Sequence, residues 1–124
     1  SQSASVEALT GDQSAVEQMK NKFKERRNLM VSLLNDIPGT QCDLPGGAFY
    51  AFPDFSHYLG KSFNNIKIKD SFALSDLFLN EGKVVTVPGD GFGAPGHIRF
   101  SYAVSSDMIR DGIKRIKKIL VKLN

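Results

Sequence analysis

Of the residues able to do chemistry, Arg99 stands out because of what surrounds it. The loop Pro88-Gly89-Asp90-Gly91-Phe92-Gly93-Ala94-Pro95-Gly96 runs straight into His97-Ile98-Arg99-Phe100-Ser101-Tyr102-Ala103. Glycine permits positive φ and close backbone approach, whereas proline fixes φ. In the strand that follows, alternation puts His97, Arg99 and Ser101 on one face and Ile98, Phe100 and Tyr102 on the other. An arginine delivered by a rigid loop into an apolar strand presents a charged planar fork of donors that matches a carboxylate or a phosphate. Two plainer roles stand beside anion recognition: an ion pair with a carboxylate of the same fold, and a side chain reaching past apolar neighbours to solvent.

Other chemistry is sparse. His57 and His97 have no serine or cysteine arranged for nucleophilic attack, and no G-x-S-x-G turn exists. No cysteine and histidine spacing suits a metal, so no metal site is expected. The carboxylates are scattered over helix starts and loops, where capping and solubility account for them. The stretch Gly89-Asp90-Gly91-Phe92-Gly93 lacks a following Lys-Ser/Thr and precedes a strand, so it is neither a P-loop nor a dinucleotide-binding turn. It is also a poor RNA-binding motif: Asp90 stands where a basic residue belongs, and Ala94-Pro95 replaces the stacking aromatic strand.

The elements that must carry Arg99 follow from periodicity and punctuation. Val16, Met19, Phe23, Met30, Leu33 and Ile37 recur at helical steps, Ser14 and Glu17 stand at capping-box spacing, and Pro38-Gly39 closes a helix over 12–36. Residues 40–44 read as a short strand, Pro45-Gly46-Gly47 as a tight turn, and 48–52 as a buried strand ended by Pro53. Residues 54–69 read as loop, with a short helix starting within 54–58. Asp70 caps a helix of about three turns that Gly82 is expected to close in the left-handed conformation. Residues 84–87 form a short β-branched strand before the glycine loop. Ser105 or Ser106 caps a final helix with an Ile109, Ile113, Ile116, Leu120, Leu123 stripe. The order helix, strand, strand, helix, strand, strand, helix predicts an α+β fold in which a small, largely antiparallel sheet is covered by long amphipathic helices.

With 124 residues, 41% of them hydrophobic and 23% charged, the chain can bury one ordinary core. The single Cys42 has no disulfide partner, and neither a membrane span nor a signal-peptide pattern is present, so a soluble cytoplasmic protein is expected. The net charge of +3 comes from basic clusters at 20–27 and 110–122, interleaved with apolar residues at helical spacing. Solvated helix faces explain them better than nucleic-acid binding does. The helix-like Ala4-Ser5-Val6-Glu7-Ala8-Leu9 begins almost at residue 1, which suggests a fragment.

Four stretches carry a family resemblance: Gln2-x-Ala4-x-x-Ala8-Leu9-x-Gly11-x-Gln13, Gly47-Ala48-Phe49-Tyr50-x-Phe52-Pro53, Val85-x-Val87-Pro88-Gly89-x-x-Phe92-Gly93, and Gly96 through Ala103. In this order and spacing the chain resembles the C-terminal small domain of bacterial-type aspartate aminotransferases, fold-type I enzymes that use pyridoxal phosphate. The resemblance implies that Arg99 pairs bidentately with the substrate α-carboxylate, that Phe49 borders the cofactor pocket and that Phe92 shapes a closing loop. For both phenylalanines plain core packing is an equal alternative. One departure is Gly91, where the family usually has alanine.

No residue here matches the family's Schiff-base lysine in its Ser-x-Ser-Lys setting, and its cofactor-binding large domain is absent. The expected organisation is therefore a truncated helix over 1–11 and a single small domain over 12–124, with no catalytic residue in this chain. The parent is expected to be a homodimeric aminotransferase exchanging an amino group between an amino acid and a 2-oxo acid. This chain alone is expected to be inactive, its partners being those substrates and the remainder of the parent, with no nucleic acid and no membrane. Two alternatives remain open: a stand-alone non-catalytic binding or regulatory module, and an aromatic or branched-chain aminotransferase or related lyase of the same fold type.

Overall fold

Arg99 lies in the middle strand of a three-stranded antiparallel sheet, and the rest of the chain is arranged to hold that strand. The computed structural model describes residues 1–124. Four helices, α1 (Gln2–Thr10), α2 (Ser14–Asn35), α3 (Ser71–Gly82) and α4 (Ser106–Leu120), accompany five short strands: β1 (Tyr50–Ala51), β2 (Ser62–Phe63), β3 (Ile66–Lys67), β4 (Val87–Pro88) and β5 (Ile98–Ser101). The sheet order is β1-β5-β4, with β2 and β3 forming a separate hairpin. The expected α+β architecture is therefore present.

β5 alternates as its sequence requires: Ile98 and Phe100 are buried, while Arg99 and Ser101 face outward. The buried face meets α2, α3 and α4. Met30, Val31 and Leu34 of α2, Leu74, Leu77 and Phe78 of α3, and the isoleucine stripe of α4 close into one core with Phe55, Ile98, Phe100 and Tyr102. α4 behaves as read, with Ser105 as its N-cap accepting from the Met108 amide. At α3 Asp70 accepts from the Ala73 amide, a cap of the expected kind.

Several expectations need correction. No capping box forms at α2, because Asp12 instead accepts from the Ser14 amide and hydroxyl, at 3.0 and 2.6 Å. The carboxylate two residues upstream outcompetes the longer reach to Glu17. Val16 and Met19, expected on the packed stripe, are exposed, and α1 buries nothing. Residues 40–44 form no strand: only Gln41 bridges Asp54, since the Asn35 amide side chain takes both the Cys42 N–H and C=O, at 2.8 and 2.9 Å. The stretch 48–52 is not uniformly buried; Ala51 is, whereas Phe49 and Phe52 are exposed. Within 54–69 lies a 3-10 turn at Ser56–Tyr58 and the β2–β3 hairpin, whose turn uses Asn64 and Asn65 at φ 48° and 67°. Only Val87–Pro88 of the 84–88 region pairs with β5.

Gly82 does not close α3 as expected. Lys83 takes the left-handed conformation at φ 54°, and Gly82 remains helical. A Cβ there would lie 2.9 Å from Ile119 Cδ1, so this glycine permits close approach of α3 to α4.

Phe55 lies at the junction of these layers, fully buried, with the Tyr58, Phe78 and Phe100 rings 5.7–6.2 Å from its own. Truncation removes a ring from a site with no room to collapse. Phe55→Ala is expected to destabilise the chain by about 3–5 kcal/mol, read from the midpoint of urea unfolding.

Candidate functional site

The outward face of β5 gathers aromatic rings around one arginine. β1 pairs with β5 as Tyr50↔Ser101 and Ala51↔Phe100, and the register carries on to the Asp54↔His97 bridge, which sets Phe52 opposite Arg99. Tyr50 is then the diagonal neighbour of Arg99 on the same face. The Arg99 guanidinium carbon lies 4.3 Å from the Tyr50 ring centroid and 5.0 Å from that of Phe92. Tyr50 comes from β1 and Phe92 from the turn after β4, the two strands that flank β5. Phe52 extends the aromatic surface, meeting Phe92 edge-on at 6.3 Å and His97 at 5.1 Å.

No carboxylate of the chain neutralises Arg99. The three ion pairs are Lys20–Glu17, Arg115–Asp111 and Lys117–Asp36. Within these 124 residues Arg99 therefore makes no ion pair, the plainer role open to it on sequence. The arginine instead lies half-buried on an open sheet face, its charge facing ring faces whose quadrupoles favour it.

The loop that delivers Phe92 is fastened at both ends. Residues Gly89–Phe92 form a 3-10 turn, and Gly93 follows at φ 73°. The Gly89 N–H donates to the His97 carbonyl at 2.7 Å, and the Ala94 N–H donates back to Gly89 at 3.0 Å. A Cβ at Gly89 would sit 2.5 Å from the His97 carbonyl oxygen and 2.6 Å from that of Ala94. The Asp90 carboxylate accepts from the Ser71 amide at 3.0 Å and from the Ser71 hydroxyl, at the first turn of α3. These hydrogen bonds hold its carboxyl below the ordinary aspartate value of 3.8.

Phe92 therefore joins Arg99, whereas Phe49 is one ring removed. Phe49 stacks on Tyr50 at 4.5 Å and leans toward Phe23 at 6.2 Å, lining a cleft of about 450 Å³ with Lys20, Lys24 and Arg27. A larger cleft of about 530 Å³, between Met30, Val84, Phe100, Met108 and Ile113, does not include Arg99. Tyr50 is the residue that sequence reasoning did not single out as part of the site; its spacing two before Phe52 in a strand antiparallel to the arginine strand was the available signal. Tyr102 works from the buried side, its hydroxyl donating to the Ala48 carbonyl at 2.9 Å and fixing the approach to β1. Cys42 is buried, and burial pushes its thiol up, away from the thiolate that nucleophilic chemistry needs.

The chain belongs to the aminotransferase class I and II family, whose match covers residues 1–116, and that family is pyridoxal-phosphate-dependent. It is 44% identical over 124 residues to a probable aspartate/prephenate aminotransferase of Aquifex aeolicus, covering 98% of this chain and 30% of that protein. It is 42% identical over 113 residues to an aspartate aminotransferase of Streptomyces avermitilis, covering 91% and 28%. The crystal structure of the aspartate aminotransferase from Rhizobium meliloti superposes with a TM-score of 0.94 at 35% identity, over 99% of this chain and 31% of that one. The chain thus spans about three tenths of the length of the relatives it matches.

The residues present do not by themselves make a pyridoxal phosphate pocket. Covalent anchoring requires a sequestered lysine amine, and no lysine here is buried. The buried side-chain polar atoms without partners are the hydroxyls of Thr40, Ser75 and Thr86, none of them an amine. No helix is long and apolar enough to cross a membrane.

Two outcomes follow from the loop. Gly89→Ala is expected to destabilise the chain by about 1–3 kcal/mol in urea unfolding, because two carbonyls must move; Gly91→Ala, with nothing within 4 Å of the new methyl, is expected to be neutral or slightly stabilising. The Asp90 clasp has a pH signature. A depressed carboxyl stabilises the folded loop fully above its ordinary value of 3.8 and loses that contribution as pH falls through the lower folded value. The protection factor of the Ser71 amide, its exchange rate relative to an unfolded amide at the same pH, should be high at neutral pH and fall in that acid range, and Asp90→Asn should lower it at neutral pH.

Proposed function

We propose that this chain is the substrate-clamping part of a pyridoxal-phosphate-dependent aspartate aminotransferase, with Arg99 binding the substrate α-carboxylate through a bidentate pair. One observation carries the reading: a half-buried arginine on a fastened strand has no internal counter-ion and faces an open surface. Such a group is organised for an external anion, and the guanidinium fork matches the two oxygens of a carboxylate. Family membership supports reading that anion as an amino acid or a 2-oxo acid.

The cofactor supplies the electron sink for breaking bonds at the substrate Cα. It is held mainly by a large domain of the parent polypeptide, outside these 124 residues, which alone are inactive. The part played here is orientation. Arg99 fixes one end of the substrate, so that its Cα bonds are aligned at the reacting centre, and the aromatic surface of Tyr50, Phe52 and Phe92 excludes water when the domain closes. Phe49, one ring away, borders the cofactor side of that surface. The parent works as a homodimer in the cytoplasm, a reducing compartment in keeping with the single unpaired Cys42.

In the full-length parent, Arg99→Ala is expected to lower kcat/KM for aspartate and 2-oxoglutarate by the equivalent of about 2–4 kcal/mol, as two charge-assisted hydrogen bonds are lost from the transition state. A specificity constant close to that of the unaltered enzyme would remove Arg99 from the site. A preference for phenylalanine over aspartate in the unaltered parent would replace the aspartate assignment by an aromatic one.

A further inference from the structure

We infer that Tyr50 and Phe92 are positioning residues that clamp the Arg99 guanidinium and make the site selective for planar carboxylates over tetrahedral anions. The inference rests on the reading of Arg99 as the carboxylate site and adds what sets its geometry and choice of anion.

An arginine side chain has several rotatable bonds and loses considerable freedom when a ligand fixes it. Here that freedom is already restricted. Tyr50 of β1 holds the guanidinium at 4.3 Å, and Phe92 of the turn after β4 holds it at 5.0 Å. Both rings are themselves fixed: Tyr50 by its β1 pairing with Ser101 and by the Phe49 ring at 4.5 Å, Phe92 by the Asp90–Ser71 clasp and the edge of Phe52. Neither holder is a carboxylate, so the arginine is oriented without being neutralised.

With both ring centroids within 5.0 Å of the central guanidinium carbon, we place the free approach for an anion at the N–H edge of the fork. A carboxylate placed on that edge keeps both oxygens in the guanidinium plane. A phosphonate or sulfonate on the same edge must project a third oxygen out of the plane, toward the electron-rich face of Tyr50 or Phe92, where the ring quadrupole repels it. The clamp therefore favours carboxylate binding by preorganisation and opposes tetrahedral anions by electrostatics.

The test uses the full-length holoenzyme and four variants: Tyr50→Leu, Tyr50→Phe, Phe92→Leu and Arg99→Leu. KM and kcat for aspartate are measured together with inhibition by α-methylaspartate and by the 1-aminophosphonic acid counterpart of aspartate. For Tyr50→Leu and Phe92→Leu, KM is expected to rise about 3- to 10-fold, more than kcat falls, because substrate must now order a free guanidinium. The preference for the carboxylate inhibitor over the phosphonate should narrow in the same variants. Tyr50→Phe keeps the ring and should restore most of the KM and of the anion preference that Tyr50→Leu loses. Unchanged KM and unchanged anion preference in both leucine variants, with Arg99→Leu strongly impaired, would overturn the clamp while leaving the Arg99 assignment intact. Unchanged KM in Arg99→Leu would instead overturn the assignment beneath it. Loss equal in Tyr50→Phe and Tyr50→Leu would place the effect in the hydroxyl and also overturn the clamp. Should Tyr50→Leu fail to fold, Phe92→Leu carries the test alone, since that ring is 56% exposed.

Discussion

A positive charge held against aromatic faces, with no internal counter-ion, is the constraint around which the chain is organised. Half-burying a guanidinium without a carboxylate is unfavourable unless something replaces part of its hydration. Tyr50 and Phe92 do so through their ring faces, and the open sheet surface leaves the remaining donors accessible. The arrangement leaves the charge of Arg99 unneutralised within these 124 residues, which is what the proposed carboxylate contact requires. Everything else in the fold can be understood as keeping β5, and thus Arg99, from moving.

Three features immobilise that strand. Ile98 and Phe100 are sealed into the core formed by α2, α3 and α4, so a one-residue slip of β5 would bury the arginine and expose two apolar side chains. Tyr50–Ala51 and Val87–Pro88 pair with it on either side. The glycine loop is then closed twice, by Gly89, which donates to the His97 carbonyl and accepts from the Ala94 N–H, and by Asp90 against the start of α3. The position of Phe92 over Arg99 therefore depends on the N-terminus of a helix whose own role is to fill the core. Packing and recognition are coupled through a single carboxylate.

Much of this was legible in the residues. The long periodic helices, the caps at Asp70 and Ser105, and the alternation of β5 that turns Arg99 outward all follow from local rules that tertiary packing did not override. The errors have physical reasons. Asp12 displaced the capping box because a carboxylate two residues before a helix reaches the first amides more easily than Ser14 and Glu17 reach each other. Asn35 captured the Cys42 backbone and so prevented a strand. The hairpin at 62–67 rests on two asparagines at positive φ, a turn signal present in the sequence but flanked by strands too short to show alternation. Lys83 closes α3 in place of Gly82, whose missing side chain instead admits Ile119 of α4. Tyr50 was hidden for a different reason: its spacing two before Phe52 puts both rings on one strand face, but contact with Arg99 also depends on the pairing register of two strands far apart in sequence.

The most direct test of the account is a crystal structure of the full-length parent with a dicarboxylate inhibitor bound. One carboxylate of the inhibitor is expected on the N–H edge of Arg99 in two parallel contacts of about 2.7–2.9 Å, with Tyr50 and Phe92 still beside the guanidinium. An inhibitor carboxylate bound elsewhere, with Arg99 paired to a carboxylate of the protein, would contradict it.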